Sequence, residues 1–208
     1  MDYQEAVESL LVIAERFNLE SPRVLYACSG EDTTPARVWP RDNILFVDSN
    51  PCRTRVLQEQ GFRTLTTDIE TLENAGEFDV IYTHNGPAKL HKCIEMLVNK
   101  AYVISNNTYS IRDRITGCTL LGATKREDDP EFPGMLKKIW FDDDPTGFFK
   151  EIQTYEEFQK HEMNADVRRS FESIMKESGL EKKAAFETLK KYYQFYKKYG
   201  ELYVFQKI

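Results

Sequence analysis

The chain has 208 residues, 41% hydrophobic and 12% aromatic, and a formal net charge of -6. This much apolar material suits one ordinary core and excludes a chain that stays disordered. The acidic balance disfavours a nucleic-acid partner, because phosphate binding needs clustered Lys and Arg.

The chain opens MDYQEAVESLLVIAERF, with Ala6, Leu10, Leu11, Ile13, Ala14 and Phe17 at helical spacing. This predicts an amphipathic helix over Tyr3–Phe17, ended by Asn18 and Pro22. Acidic residues interrupt the apolar pattern, so it does not read as a signal peptide. No apolar run reaches membrane-spanning length. Short apolar runs then alternate with helical stretches: RVLYA, TPARVW, NILFVD, PCRTRVLQEQG, FRTLTTD, FDVIYTHN, LHKCIEMLVNK and AYVISNN. Such alternation predicts a parallel sheet. Asn50-Pro51 marks a helix start and Gly61 its stop.

After Asn107 the pattern changes. CTLLGATK and MLKKIWFDD predict strands joined by a polar loop over Arg126–Gly134, which carries Pro130 and Pro133. Phe148–Tyr199 predicts mainly helix, broken at Gly179, with Phe186, Leu189, Tyr193 and Tyr196 on one helical face. The chain ends GELYVFQKI, which has strand composition.

In an open parallel α/β sheet, ligands bind beyond the carboxyl ends of the strands, where strand order reverses. The candidate residues are therefore Cys28, Ser29, Gly30 and Asp32 after the first strand, and Asp48 and Ser49 after the second. Asp68 and Ile69 follow the third, His84 and Asn85 the fourth, and Asn106 the fifth. Gly30 suits a tight turn or a close approach by a ligand. Asp48 offers two carboxylate oxygens, although it could instead serve the following helix, where Asn50 already fits as a cap. Asp68 equally suits a turn. Asn85-Gly86 is itself a turn signal. Cys28 at a helix start near His84 raises the alternative of a thiolate nucleophile, against that of a small packed residue.

The segment Glu20–Asn107, with its strand-end residues, resembles the class I S-adenosylmethionine-dependent methyltransferases. GELYVFQKI looks like that family's closing antiparallel strand. The resemblance implies a Rossmann-like three-layer α/β sandwich, with a mostly parallel sheet and a helical elaboration before the last strand. It implies one domain: a cofactor core over 1–112, a substrate-side elaboration over 113–200 and a closing strand over 201–208. S-adenosylmethionine would be held by Cys28, Ser29, Gly30, Asp32, Asp48, Ser49, Asp68 and Ile69. Within that set, Asp48 would take the ribose hydroxyls and Asp68 the adenine amino group. His84, Asn85 and Asn106 would border the transfer site, with His84 as a base or orienter. The glycine-rich loop is degenerate: Tyr26 stands for the family's acidic residue, and Cys28 and Asp32 stand for two of its three glycines.

The substrate would be a small molecule or a protein. A noncatalytic protein of the same fold, binding the cofactor or a nucleoside, is the other reading. GxxxxGK[ST] and GxGxxG are both absent, which disfavours a phosphate-dependent enzyme. The four cysteines form no CxxC pair, His91 and His161 have no partners at metal-ligand spacing, and Asp142-Asp143-Asp144 reads as a solvated turn. The cysteine usage predicts a reduced, cytoplasmic protein.

Overall fold

A computed structural model describes residues 3–84, 90–106, 117–132, 135–144, 149–151, 154–159, 171–176, 179–190, 196–198 and 202–208. Helix α1 spans Tyr3–Arg16 and ends as expected at Asn18, whose φ of 53° is the left-handed value that closes helices. Strand β1 (Val24–Ala27) follows, with every residue buried. The TPARVW segment forms only a short 3-10 turn, Thr34–Arg37, because Pro35 opens it and buried Trp39 soon anchors the chain by donating from Nε1 to the Leu19 carbonyl at 2.9 Å.

Strand β2 (Ile44–Asp48) leads into α2 (Pro51–Glu59), which starts and stops where the sequence places its signals. Asn50 caps α2, its Oδ1 accepting from the Cys52 amide at 2.9 Å, and Gly61 follows the helix with φ 80°. Strands β3 (Arg63–Thr66) and β4 (Phe78–Thr83) come next. The helix expected over LHKCIEMLVNK is shorter: α3 is His91–Glu95, and β5 (Leu97–Ser105) already takes up LVNK. Leu97 and Ala101 are buried in that strand, so sheet packing overrides the helical spacing. Strands β6 (Cys118–Asp128) and β7 (Leu136–Asp142) form a hairpin. Here too the expected loop shrinks, because β6 pairs with β7 as far as Asp128.

Strands β8 (Phe149–Glu151), β9 (Tyr196–Lys198) and β10 (Tyr203–Lys207) complete the set. The large sheet has the order β3-β2-β1-β4-β5-β10-β6-β7. The first five strands are mutually parallel, and β10 enters antiparallel between β5 and β6. The closing segment therefore lies inside the sheet. This is the Rossmann-like architecture that the resemblance implied. Leu10, Ile13, Val24, Tyr26, Ile44, Phe46, Leu57, Val80, Tyr82 and Val204 share one core. Alternate residues of the same strands, among them Leu25, Ala27, Val47 and Ile81, are also fully buried, as expected of a parallel sheet covered on both faces.

The chain divides into two compact units, one of residues 1–146 with 200–208 and one of residues 147–199. The second unit holds α4 (Tyr155–Gln159), a helical segment at 171–176, α5 (Lys182–Lys190) and the antiparallel pair β8 and β9. Phe158, Phe171, Ala185 and Phe186 form its small core. Gly179 breaks the helices as expected, with φ 62° and its amide on the Met175 carbonyl at 3.0 Å. Tyr196 lies in β9, outside the helix predicted for it, and Tyr193 is outside the described residues.

Gly122 in β6 has no room for a side chain. A Cβ there would lie 2.2 Å from the Asp142 carbonyl oxygen and 2.8 Å from the Phe141 ring. Gly122→Ala is expected to lower stability by about 1–3 kcal/mol through overpacking. Urea denaturation checks this, and a change within about 0.5 kcal/mol would show that the hairpin gives way freely.

Candidate functional site

The strand order reverses between β1 and β4, so the crevice at their carboxyl ends is where this architecture receives ligands. The chain leaves β1 through two left-handed residues, Cys28 at φ 54° and Gly30 at φ 58°. Only the second is a glycine. The left-handed conformation costs a side-chain-bearing residue roughly 1–2 kcal/mol, so the loop needs external support at Cys28. Part of it comes from Ser29, whose amide donates to the Val47 carbonyl at 3.0 Å and extends the ladder to β2.

Asp48 supplies the rest. Its buried carboxylate accepts from the Gly30 amide at Oδ2 (2.9 Å) and from the Asn50 amide at Oδ1 (2.8 Å). Arg53 Nη1 stands 4.0 Å from Oδ2. A carboxylate oxygen has two acceptor directions, and these two amides occupy one on each Asp48 oxygen. Asp68 is exposed and caps the turn Ile69–Thr71, its Oδ1 accepting from the Glu70 amide at 2.8 Å. Ile69 is buried beside it, whereas Ser49 is exposed.

Burial pushes the Cys28 thiol up to about 11, and the negative charges of Asp48, Asp68 and Glu70 add to the rise. All three carboxylates lie at the carboxyl ends of the parallel strands β2 and β3, Asp48 at the end of β2 and Asp68 and Glu70 in the turn after β3. Their charges also argue against the thiolate alternative, since a thiol so raised is almost wholly protonated at neutral pH. Cys93 on α3 is likewise raised, to about 12, by burial and by proximity to Cys28.

The second buried carboxylate, Asp32, is engaged differently. Its Oδ1 accepts from the Thr34 amide (2.7 Å) and the Thr34 hydroxyl (2.5 Å). Its Oδ2 accepts from the Tyr26 hydroxyl and lies 3.3 Å from His84 Nδ1. All four acceptor directions are used within the protein. Desolvation raises the Asp32 carboxyl, but the hydrogen bonds from His84, Thr34 and Tyr26 outweigh it and hold the group below its ordinary value.

Beyond Asp32, the end of β4 carries three buried polar atoms that lack hydrogen-bond partners among the described residues: Tyr82 Oη, Thr83 Oγ1 and His84 Nε2. An unsatisfied buried polar group costs about 1–3 kcal/mol, so the Tyr82 and His84 atoms, which share one face of the strand, call for partners beyond the described residues, while Thr83 faces the other side of the sheet. Tyr82 packs tilted at 50° against Tyr26, with ring centroids 4.7 Å apart, and stacks at 6.3 Å on His84.

The structure thus brings Cys28, Ser29, Gly30, Asp48 and Asp68 to one end of the sheet, and His84 to Asp32. Asn106 follows β5 and is half-buried, while Asn85 and Asn107 lie outside the described residues. Three contributors escaped the sequence reading. Arg53 lies one helical turn into α2, Glu70 sits in a turn, and Thr34 is one more hydroxyl in a polar run, so none carries a motif. Among the described residues no group of three His, Cys, Asp or Glu side chains is placed to hold a metal. No described helix is long and apolar enough to cross a membrane.

No protein-family model and no curated protein matches the chain. Solved structures do. A putative methyltransferase, yhhF, from Escherichia coli matches at 10% identity and TM-score 0.48, over 62% of this chain and 81% of that one. A possible histamine N-methyltransferase from Thermotoga maritima matches at 13% identity and TM-score 0.46, over 67% and 84%. The plantazolicin methyltransferase BpumL, solved with SAH, matches at 16% identity and TM-score 0.40, over 50% and 47%, so the chain spans about half the length of that enzyme. With identities and scores this low, the matches say nothing about substrate or activity, and the architecture rests on the strand order itself.

Two outcomes follow from the titrating groups. Native protein treated with iodoacetamide near neutral pH should be alkylated first at exposed Cys52 and far more slowly at Cys28, read by peptide mass spectrometry. Equal rates would mean that Cys28 is a thiolate. Asp32 contributes stability above the ordinary carboxylate range, and that contribution is lost as pH falls through its lowered folded-state value. Acid unfolding of Asp32→Asn should therefore be shallower than that of the wild type, and coincident acid limbs would show Asp32 to be uncoupled from folding.

Proposed function

We propose that the protein is an S-adenosylmethionine-dependent methyltransferase acting on a small molecule or a protein. The observation that carries this reading is the loop after β1. It crosses the switch point through two left-handed residues and is tied by its Gly30 amide to a strand-end carboxylate that keeps acceptor capacity on both oxygens. A vicinal diol fits that remaining capacity, one hydroxyl per oxygen. Cys28, Ser29 and Gly30 would border the methionine portion, Asp48 and Ser49 the ribose, and Asp68 and Ile69 the adenine. The second Asp68 oxygen has no protein partner among the described residues and is open to an amino group. Asp32 is reassigned from cofactor contact to an internal role, because its acceptor directions are filled.

S-adenosylmethionine supplies an electrophilic methyl on a sulfonium centre, so the protein's task is to align a nucleophile and exclude water. His84, Asn85 and Asn106 would border that nucleophile. The described cysteines are free, which suits a reducing, cytoplasmic setting. The noncatalytic reading draws support from the heavy internal engagement of Asp48, and consumption of the methyl donor separates the two.

Calorimetric titration with S-adenosylhomocysteine tests the binding step. Asp48→Ala should weaken affinity at least about tenfold and also cost roughly 1.5–3 kcal/mol of stability, since it removes hydrogen bonds to a buried charge. Wild-type protein that binds neither S-adenosylhomocysteine nor S-adenosylmethionine would overturn the reading.

A further inference from the structure

His84 is buried, and its two ring nitrogens have unlike surroundings. Nδ1 faces a carboxylate oxygen of Asp32 at 3.3 Å, whereas Nε2 has no partner among the described residues. A carboxylate held below its ordinary protonation range is an acceptor only, so the hydrogen of a neutral imidazole belongs on Nδ1. Nε2 then carries a lone pair. Asp32 cannot turn away from this task, because the Thr34 amide and hydroxyl hold Oδ1 while the Tyr26 hydroxyl shares Oδ2.

The geometry points to Asp32 as a positioning residue that fixes His84 in the Nδ1–H form, leaving Nε2 as the acceptor for a hydroxyl or N–H group on the molecule to be methylated. This rests on the methyltransferase reading and narrows its substrate class to protic oxygen or nitrogen nucleophiles. On reaction, the acceptor's O–H or N–H bond would break and an electron pair of that oxygen or nitrogen would form the bond to the methyl carbon, while the methyl–sulfur bond of the donor breaks with its pair left on the departing S-adenosylhomocysteine. The proton moves to Nε2, and the positive charge then shared by the ring lies against the Asp32 carboxylate. The proton leaves to solvent afterwards, which restores the neutral ring. Tyr26 and Thr34 act through Asp32. On the same face as His84, the Tyr82 hydroxyl likewise has no partner among the described residues.

Nitrogen-15 NMR of histidine-labelled protein tests this. The chain has 3 histidines, and His84→Gln assigns the resonance of interest. Wild-type His84 is expected to show a protonated Nδ1 and an unprotonated Nε2. Asp32→Asn should shift the tautomer ratio by about tenfold or more, the loss of one hydrogen bond to a charged group, and Asp32→Glu should restore it in part. With S-adenosylhomocysteine present, phenol should perturb the Nε2 resonance while anisole, which lacks the proton, should not. A wild-type Nε2–H tautomer overturns the proposal even if Asp32→Asn fails to fold. An unchanged ratio in folded Asp32→Asn, a failure of phenol to move Nε2, or an equal response to anisole overturns it as well. Failure of the wild type to bind S-adenosylhomocysteine in calorimetry would instead remove the methyltransferase reading, while the tautomer spectrum still judges the role of Asp32.

Discussion

The backbone turn after β1 depends on two buried carboxylates. Cys28 and Gly30 both hold left-handed angles, and the ladder to β2 reaches the turn only through the Ser29 amide between them. Asp48 reaches across from β2 to the Gly30 amide, and Asp32 folds back from within the loop to Tyr26 and Thr34. A hydrogen bond to an ionised group contributes roughly 1.5–3 kcal/mol, enough to outweigh the left-handed cost of a residue such as Cys28. Neither carboxylate is free to point outward as a simple ligand. The difference lies in what remains: Asp48 keeps one acceptor direction on each oxygen, and Asp32 keeps none.

That difference gives the two residues of the loop separate tasks. Cys28 holds a left-handed angle, φ 54°, of the kind that favours glycine, so what it contributes is the path of the backbone. Asp32 is not at positive φ, and what it contributes is its side chain. That carboxylate meets the hydroxyl of Tyr26, six residues back on β1.

The sheet was largely readable from the chain, and the exceptions have common causes. The alternation from RVLYA to AYVISNN placed β1 to β5 because each run is flanked by turn residues, as with Asn50-Pro51 before α2 and Gly61 after it; this holds even for the edge strand β3, which is mostly exposed. GELYVFQKI was legible as a closing strand from its composition. LVNK was misread as helix because its apolar spacing fits either period, and only the pairing of Leu97 with Phe78 of β4 decides. Asp128 was misread as loop because the polar end of a strand resembles one until its partner β7 is known.

At the site, strand ends could be read but side-chain pairings could not. Asp48, Asp68 and His84 are marked by position alone, since a polar residue after an apolar run falls at the carboxyl edge of the sheet. The Asp32–His84 contact joins residues 52 positions apart and depends on β1 and β4 being neighbours. The same adjacency suggested Cys28 as the partner of His84, and the choice between them turns on side-chain chemistry at close range. A thiol raised to about 11 is a poor donor and carries no charge, whereas an ionised carboxylate accepts strongly from an imidazole N–H. His84 therefore belongs to Asp32, and the half-buried Cys28 is left to shape the backbone of the turn. Cys28 and Asp32 thus divide the work of this loop, one holding the path of the chain and the other facing the ring beside it.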